Sequence, residues 1–297
     1  MSRFFLIDAY SQIYRVFYAI RQLTNVRGEP ANALYGMARL FLQLDELQPS
    51  DYGAIVYDLG KCVRRTGLLP EYKAQRPPMP EELRSQTATI REWAQAFGWN
   101  IVDREGFEAD DLIAGLAAQR GDSTVTILTG DKDLFQLLAS PSVRILLRGT
   151  DKTPWIEADA AAAREKFGVP PEQIRDYLAL LGDTADNIPG LPGCGPKTAV
   201  KLLEEYGSID NLLAHLDELK SAKLRETLQT EQNHLRMNQS LVQLDEALPE
   251  NWSGLESLRR RAPDWEKILR LCDDQGFKSI AEAVRKRRQP IQQTFGF

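Results

Sequence analysis

Several residue types on which common active sites depend are scarce in this sequence. Its 297 residues include only two histidines, His215 and His234, and three cysteines without C-x-x-C spacing, Cys62, Cys194 and Cys272. This scarcity argues against a disulfide framework, a zinc site and histidine-based nucleophilic catalysis. No apolar run approaches the ~20 residues that a membrane span needs, and the apolar N-terminal run is too short for a signal peptide. We therefore expect a cytoplasmic protein that does not cross a membrane.

Basic residues are slightly fewer than acidic residues in the whole chain, but they are concentrated in one segment. The net charge is −5, which taken alone argues against a nucleic-acid-binding protein. Residues 61–91, however, contain seven Lys or Arg residues against three Glu residues. The part of this segment that contains prolines has little apolar periodicity, which indicates an arched or mobile connection. The charge distribution suits a metal centre beside a separate basic surface.

Short apolar runs alternate with helical periodicity in the first half of the chain. We predict strands at Phe4–Ile7, Ala54–Tyr57, Asn100–Val102, Thr124–Leu128 and Val143–Leu147. Strands that alternate with helices predict a mostly parallel sheet covered on both faces, and ligands bind outside the carboxyl ends of such strands. Asp8, Asp58 and Asp131 follow three of these strands. Each alone could be a turn former, but together we expect them to converge at one edge.

A crowded group of acids accompanies these elements. It consists of Glu108, Asp110 and Asp111 at the start of a helix predicted over residues 108–120, and of Asp131 and Asp133 after a strand. One or two acids at a helix N-terminus could simply complement its dipole. Several carboxylates beside apolar runs need something that offsets their mutual repulsion. A divalent cation does this most simply.

The second half of the chain is predicted to be helical and contains a glycine-rich turn. Its first elements are a helix over Pro171–Leu181, the turn Gly193–Lys197 and a helix that ends near Tyr206. Pro196 suits the first helical position, and free amides at a helix start bind phosphate. A plain tight turn would explain the glycines equally well. A P-loop does not fit, because this turn links two helices.

Several motifs occur in the order found in a known family. They are Leu6-Ile7-Asp8, Tyr57-Asp58, Tyr72-Lys73-x-x-Arg76-Pro77-Pro78, Glu108-Ala109-Asp110-Asp111, Thr129-Gly130-Asp131-Lys132-Asp133, Gly182-Asp183-Thr184-Ala185-Asp186-Asn187-Ile188-Pro189-Gly190 and Gly193-Cys194-Gly195-Pro196-Lys197-Thr198-Ala199. Over residues 3–240 the chain resembles the 5′ nuclease superfamily of flap endonucleases and 5′–3′ exonucleases. This superfamily includes the N-terminal nuclease domain of bacterial DNA polymerase I and its stand-alone homologues. Every acid of the family pattern is present, so the resemblance implies an active enzyme.

The resemblance implies a fold and a division of the chain. The fold is a PIN-like twisted, mostly parallel α/β sheet flanked by helices, with a helical arch and a C-terminal helix-three-turn-helix region. We accordingly expect a nuclease core over residues 1–160, with the arch at 60–92. A helical DNA-binding region is expected over residues 161–285, with the helix-three-turn-helix at 171–215. Residues 286–297 are expected to form a basic tail.

The resemblance also implies which residues hold metal ions. Two Mg²⁺ ions ~3.5–4 Å apart can activate water and stabilise the leaving oxyanion in phosphodiester hydrolysis. The implied ligands are Asp8, Asp58, Glu108, Asp110 and Asp111 for a tighter site, and Asp131, Asp133, Asp183 and Asp186 for a second. Many of them would act through water, because Mg²⁺ retains several waters, and Mn²⁺ is expected to substitute. Among these predicted ligands, Asp111 is the first position at which a substitution would test the metal site.

Residues of the basic segment and of the glycine-rich turn have implied roles as well. Lys73 and Arg76 would polarise or orient the scissile phosphate, and Tyr72 would stack on the terminal base. The alternative for the two cations is a solvated charge pair. Either Arg64 or Arg65 matches a DNA-contacting arginine of the family, and the segment length leaves open which one. The duplex backbone would be held, with K⁺ as a further implied ion, by Gly193, Gly195, Lys197 and Thr198.

The implied substrate is branched or nicked double-stranded DNA with a 5′ flap or 5′ end, recognised by phosphate and structure instead of sequence. A monomeric Mg²⁺-dependent nuclease of this kind would act in repair and in replication, including the removal of Okazaki-fragment primers. The last five residues resemble the bacterial sliding-clamp-binding pentapeptide, with Gln293, Phe295 and Phe297 at its key positions. A docked tail is an equally simple explanation for these aromatic residues.

Two other functions stay open at the level of the sequence. One is a non-catalytic protein of the same fold that binds DNA structures. The other is a PIN-type ribonuclease, against which the glycine-rich turn and the arch segment argue. Cleavage of 5′-flap DNA, nicked DNA and single-stranded RNA, with Asp111→Asn as a control, distinguishes the three.

Overall fold

A six-stranded sheet forms the centre of the protein, which the computed structural model describes over residues 1–150 and 153–288. Its strands are β1 (Arg3–Asp8), β2 (Tyr52–Val56), β3 (Asn100–Val102), β4 (Thr124–Leu128), β5 (Val143–Arg148) and β6 (Trp155–Ala158). The spatial order is β3-β2-β1-β4-β5-β6, and only the β5–β6 pairing is antiparallel among these strands. The predicted mostly parallel sheet is confirmed, and β6, which the sequence did not predict, lies at one edge.

The central strand β1 contributes side chains to two separate cores. Leu6 pairs in register with Ala54 of β2 and with Ile127 of β4. Because successive side chains of a strand point to opposite faces, Phe4 and Leu6 join one hydrophobic cluster and Phe5 joins the other. All of these side chains are buried, as expected for a parallel sheet with both faces covered.

Helices cover both faces of the sheet and form most of the second half of the chain. Those of the first half are α1 (Ala9–Ala19), α2 (Asn32–Leu47), α3 (Val63–Leu68), α4 (Glu81–Ala96) and α5 (Ala109–Ala118). Those of the second half are α6 (Ala160–Phe167), α7 (Ile174–Leu181), α8 (Pro196–Tyr206), α9 (Ile209–Ala214), α10 (Ala222–Thr230), α11 (Gln232–Val242), α12 (Trp265–Gln275) and α13 (Lys278–Arg288). A small antiparallel hairpin of β7 (Gly182–Asp183) and β8 (Ile188–Pro189) joins α7 to α8.

The helical second half shares its core with one face of the sheet. The ring of Phe135, which follows β4, lies 5.2 Å from that of Phe167 between centroids, and Phe167 lies 6.0 Å from Tyr177 of α7. On the opposite face, α12 and α13 return to pack with α1, α2 and α4. The sheet is thus enclosed by helices from both ends of the chain.

The segment between β2 and α4 contains more structure than its sequence indicates. It includes the short helix α3, and two of its polar residues, Arg65 and Tyr72, are buried. The predicted helix over Pro171–Leu181 also differs in detail, because Pro171–Gln173 forms a 3₁₀ turn before α7 begins. Neither change alters the order of the main elements.

No helix within residues 1–150 and 153–288 combines the length and the apolar character that crossing a membrane requires.

Candidate metal centre

A cavity of about 900 Å³ opens at the carboxyl edge of the parallel strands. Asp8 ends β1, and Asp58 and Asp131 lie in the loops after the neighbouring strands β2 and β4. Glu108, the N-cap of α5, and Asp110 in its first turn line the same cavity. The order of the strands explains this convergence, since β2, β1 and β4 are adjacent. The structure therefore brings together five carboxylates that the sequence singled out.

Neutral hydrogen-bond donors fix the direction of these carboxylates. The Thr129 hydroxyl donates to Oδ2 of Asp8 at 2.7 Å and accepts the backbone N–H of Asp131 at 2.9 Å. Oδ1 of Asp58 accepts the N–H of Ala109 at 2.8 Å, at the N-terminus of α5. These donors orient the carboxylates without supplying positive charge.

Burial and mutual repulsion change the titration of the cavity carboxylates. Burial raises the pKa of Asp8 to about 7, and the charge of Asp131 adds to the increase while the Thr129 hydroxyl opposes it. Burial also raises the pKa of Asp110 well above the ordinary carboxyl range, with contributions from Asp131 and Asp8. Burial is also the main cause that raises the pKa of Asp58. The carboxylates thus lack sufficient counter-charge, which is the property of a cation site.

Three further carboxylates form a second group beside the cavity. One ligand atom of each of Asp133, Asp183 and Asp186 lies within 4.8 Å of the others. Asp183 belongs to the β7–β8 hairpin, Asp186 lies in its turn, and Asp133 follows β4. Burial raises the pKa of Asp133 to about 8, and the charge of Asp131 is the next contribution. Oδ1 of Asp133 is buried without a hydrogen-bond partner among the described residues.

Lys73 and Arg76 lie between the two groups of carboxylates. The Lys73 ammonium contacts Glu108, and its Nζ lies 3.7 Å from Oδ2 of Asp186. Burial alone would lower the pKa of Lys73, but the charges of Glu108 and Asp186 outweigh burial and raise it. Arg76 forms an ion pair with Asp186 as well. The two predicted cations therefore lie at the acidic centre, where they are bound to its carboxylates.

Residues 71–76, which we call the basic turn, are hydrogen-bonded to the β7–β8 hairpin. The N–H of Lys73 donates to the carbonyl of Asp186 at 3.0 Å, and Nε2 of Gln75 donates to the carbonyl of Thr184 at 2.8 Å. Lys73 has a φ of +57°, in the left-handed region that non-glycine residues seldom adopt. Several hydrogen bonds to the hairpin offset the cost of this conformation, so the turn and the hairpin form one unit.

Tyr72 is not positioned as a stacking surface, contrary to the prediction. The residue is only 7 % exposed. Its Oη lies 3.0 Å from Oε2 of Glu108 and 2.9 Å from Oδ2 of Asp186. Burial and these two charges raise the pKa of Tyr72, so the hydroxyl stays protonated and its one proton serves both carboxylates. Tyr72 therefore joins the two acid groups and has no free face for a base.

Asp111, which was predicted to be a ligand of the tighter metal site, lies in a buried ion pair with Arg65 and does not line the cavity. Nη1 and Nη2 of Arg65 lie 2.6 and 2.8 Å from the two carboxylate oxygens of Asp111. Nη1 is also 2.8 Å from Oε2 of Glu108 and 3.5 Å from Sγ of Cys62. The guanidinium thus occupies the centre of the group formed by Cys62, Glu108 and Asp111. The positive charge of Arg65 thus balances the negative charge of this group.

Arg64 and Arg65 connect α3 to the end of α11 and to the chain that follows it. Nε of Arg65 donates to the carbonyl of Leu241 at 2.8 Å, and Nη2 donates to that of Gln243 at 3.0 Å. Nε of Arg64 lies 2.6 Å from Oδ2 of Asp245. Arg65 is 3 % exposed, so the predicted DNA contact does not fit this residue. Arg64 is half-buried, and its contact with DNA stays a prediction.

The glycine-rich turn before α8 is open to a partner. Gly193 has a φ of +76°, which favours glycine, and a Cβ atom at Gly193 or Gly195 would meet no atom within 4 Å. Gly195 is the N-cap of α8 and Pro196 occupies its first position. Lys197 is exposed and Thr198 is half-buried. Because the first N–H groups of a helix have no intrahelical partner, this turn can bind an anion.

Several residues that line the cavity were not identified from the sequence. They include Arg15, Tyr14 and Arg148. Arg148 ends β5 at the same edge as Asp8, so the rule that identified Asp8 also points to this arginine. Arg15 lies on α1, and no pattern in the sequence distinguishes it from other exposed helical arginines.

Comparisons with known proteins are consistent with this geometry. The family model "5′–3′ exonuclease, N-terminal resolvase-like domain" matches residues 3–168, and "5′–3′ exonuclease, C-terminal SAM fold" matches residues 169–266. A 5′–3′ exonuclease of Aquifex aeolicus (strain VF5) is 35% identical over 289 residues, which cover 96% of each chain. The protein therefore belongs to the 5′–3′ exonuclease family, and the resemblance seen in the sequence is confirmed.

Longer relatives and solved structures share parts or all of this architecture. DNA polymerase I of Bacillus caldotenax is 37% identical over 281 residues, 94% of this chain and 32% of that protein, so the chain spans about a third of its length. The T5 5′-exonuclease with bound divalent metal ions (zinc) has a TM-score of 0.66 at 20% identity, covering 96% of this chain and 97% of that one. The catalytic core of Rad2 with DNA substrate has a TM-score of 0.67 at 16% identity, covering 97% and 92%. These two structures show the shared fold.

Proposed function

We propose that this protein is a divalent-metal-dependent 5′ nuclease that hydrolyses DNA phosphodiester bonds, both as a 5′–3′ exonuclease and as a flap endonuclease. The observation that carries the proposal is the cavity in which five carboxylates face Lys73 and Arg76. Membership of the 5′–3′ exonuclease family supports it. The proposed roles are primer removal during replication and DNA repair.

The residues of the site fit divalent cations with hard oxygen ligands. Raised carboxyl pKa values and the unpartnered Oδ1 of Asp133 both indicate uncompensated negative charge. Cations would be held by Asp8, Asp58, Glu108, Asp110 and Asp131, and by the group of Asp133, Asp183 and Asp186. Mg²⁺ and Mn²⁺ suit this all-oxygen donor set. When bound, such cations activate water and neutralise a leaving oxyanion.

Groups of the protein itself supply positive charge to the substrate and orient the carboxylates. Lys73 and Arg76 supply positive charge to a substrate phosphate at the junction of the two acid groups. Thr129 holds Asp8 in a fixed direction, and the N–H of Ala109 does the same for Asp58. Sites whose groups are oriented before the substrate arrives need little rearrangement during the reaction.

The turn before α8 is the proposed contact to the duplex. Free amides of the first helical turn and the ammonium of Lys197 would bind backbone phosphates, which carry no sequence information. Gly193 and Gly195 permit close approach because no side chain covers the backbone there. A K⁺ ion shared between this turn and a phosphate is part of the proposal.

The proposal is tested by cleavage of three substrates: 5′-flap DNA, nicked DNA and single-stranded RNA. We expect Mg²⁺-dependent release of 5′ products from both DNA substrates and none with chelator. Asp110→Asn should lower the rate by roughly 100-fold, since a charge that binds the cation is lost. Asp122→Asn, an exposed acid in the turn before β4, is the matched control and should retain full activity.

Two outcomes would contradict the proposal. Tight binding of flap DNA without cleavage in Mg²⁺ or Mn²⁺ would identify a DNA-structure-binding protein. Cleavage of RNA alone would identify a PIN-type ribonuclease.

A cytoplasmic location, a monomeric state and sliding-clamp binding are further parts of the proposal. Gln293, Phe295 and Phe297 lie outside the described residues. Co-elution of the intact protein with a clamp, lost on deletion of residues 293–297, would support clamp binding. Unchanged co-elution, or none with the intact protein, would contradict it.

A further inference from the structure

Three arginines extend from the acidic cavity towards α2. Arg15 of α1 and Arg148 of β5 line the cavity, on which Asp8 and Asp131 also lie. Arg39 of α2 is the next cation and lines a second depression of about 450 Å³ between α2 and α13. We call Arg15, Arg148 and Arg39 the arginine track.

Among residues 1–150 and 153–288, the positive charge of the track has no ion-pair partner. Within the parts of the chain that the structure describes, no carboxylate oxygen lies within 4.0 Å of a nitrogen of these three side chains. Partial burial lowers the pKa of the largely exposed Arg15, and the charge of Arg148 lowers it further. Burial likewise lowers the pKa of Arg148, and Arg39 adds to this effect. An anion bound along the track would relieve this repulsion.

Aromatic rings accompany the track. The Arg148 guanidinium carbon lies 4.3 Å from the centroid of Trp155, and that of Arg39 lies 5.9 Å from the centroid of Tyr35. Nη1 of Arg148 also donates to Oε1 of Gln43 at 3.1 Å, which fixes the guanidinium over the ring. Planar guanidinium groups on aromatic rings are stacking surfaces for nucleobases as well as phosphate donors.

We propose that the arginine track binds the unpaired strand of a branched DNA substrate where that strand leaves the cavity. The inference rests on the proposed nuclease function. An unpaired strand is favoured over a duplex because bases within a duplex are stacked on one another and have no free face for such a surface. The phosphates would contact the arginines in turn, while one or two bases stack on the Arg148–Trp155 pair.

The experiment compares DNA with a long 5′ flap and nicked DNA without unpaired nucleotides. We expect Arg39→Gln, at a position outside the acidic cavity, to raise KM and Kd for the long flap about tenfold and to leave nicked DNA within twofold. The slope of log Kd against log salt for flap binding should fall by ~0.7 for each phosphate that the variant no longer binds. Arg148→Lys should keep the salt slope and lose affinity, because it retains charge but not the planar group.

Arg144→Gln is the matched control. This arginine lies on the same strand, but its Nε is 3.7 Å from Oε1 of Glu157 and its Nη1 donates to the Pro141 carbonyl at 2.8 Å. The Arg144→Gln variant should therefore bind flap DNA with unchanged affinity. An equal loss of affinity for flap and nicked DNA, or no loss for either, would contradict binding of the unpaired strand by the arginine track. Binding is measured by anisotropy in chelator, so a protein that binds flaps through the track but cleaves nothing would contradict the nuclease function alone.

Discussion

Lys73 is joined to Asp186 twice, once through the backbone and once through charge. Its N–H donates to the Asp186 carbonyl at 3.0 Å, and its Nζ lies 3.7 Å from the Asp186 carboxylate. The same ammonium contacts Glu108 at the N-terminus of α5. One side chain thus connects the sheet edge, the basic turn and the hairpin that precedes α8.

Replacement of Lys73 by Met should destabilise the metal-free protein by about 2–4 kcal/mol, because Glu108 and Asp186 each lose one of the two cations that pair with them. Thermal unfolding in chelator measures the loss, and added Mg²⁺ should recover most of it. Arg84→Met is the control, since its Nε lies 3.6 Å from the Glu81 carboxylate in an exposed pair of little energetic weight. An equal loss in both variants would contradict the central position of Lys73.

Asp110→Asn and Asp111→Asn should change stability in opposite directions. Asp110 faces like charges, so its neutralisation should raise the melting temperature in chelator. Asp111 binds both Nη atoms of Arg65, so its neutralisation leaves a buried guanidinium incompletely paired. We expect a loss of about 3 kcal/mol in that variant. Calorimetry of the two variants decides the point, and a stabilising Asp111→Asn would show that this ion pair is wrongly assigned.

The metal-free protein should lose stability as the pH rises from about 4 to 8. The pKa values of Asp8 and Asp133 are raised to about 7 and about 8, above the ordinary value of 3.8. The folded state therefore binds more protons than the unfolded state in this interval, and stability decreases with increasing pH. Mg²⁺ should raise the melting temperature most at the alkaline end. A melting temperature that is indifferent to Mg²⁺ at pH 8 would count against a preassembled site.

Gly115→Ala should destabilise the protein by about 1–3 kcal/mol although alanine is the better helix former. A Cβ atom at Gly115 would lie 1.9 Å from the carbonyl oxygen of Ala247, so α5 or the chain after α11 must move. Gly67→Ala in α3 is the control, because nothing lies within 4 Å of its Cβ position. Denaturant unfolding should show a small increase in the free energy of unfolding for Gly67→Ala. Equal effects at both positions would contradict the close packing of α5.

The sequence was informative where a local rule decides a position. Parallel strands must end at one edge, so Asp8, Asp58 and Asp131 could be placed together from the strand pattern alone. Glu108 and Asp110 could be placed beside these aspartates because they lie at the start of a helix that the apolar periodicity predicts. In each case the position depends on the element that carries the residue.

Side chains held by distant partners could not be placed in this way. The partners of Arg65 include Leu241, which lies 176 positions away, and no periodicity marks a buried arginine in a polar segment. Tyr72 is equally misleading, since its hydroxyl is enclosed by carboxylates from two other parts of the chain. Strand β6 is short and partly exposed at the sheet edge, so it carries little apolar pattern.

The connection of the early basic turn to the late hairpin has a consequence during synthesis. Glu108 and Lys73 leave the ribosome long before Asp186, and the chain around Gln243 that secures Arg65 emerges later still. A nascent chain therefore possesses the cavity carboxylates before the group of Asp183 and Asp186 has been synthesised. Under the proposed nuclease function, the site would be complete only after the chain as far as Asp245 has emerged and docked.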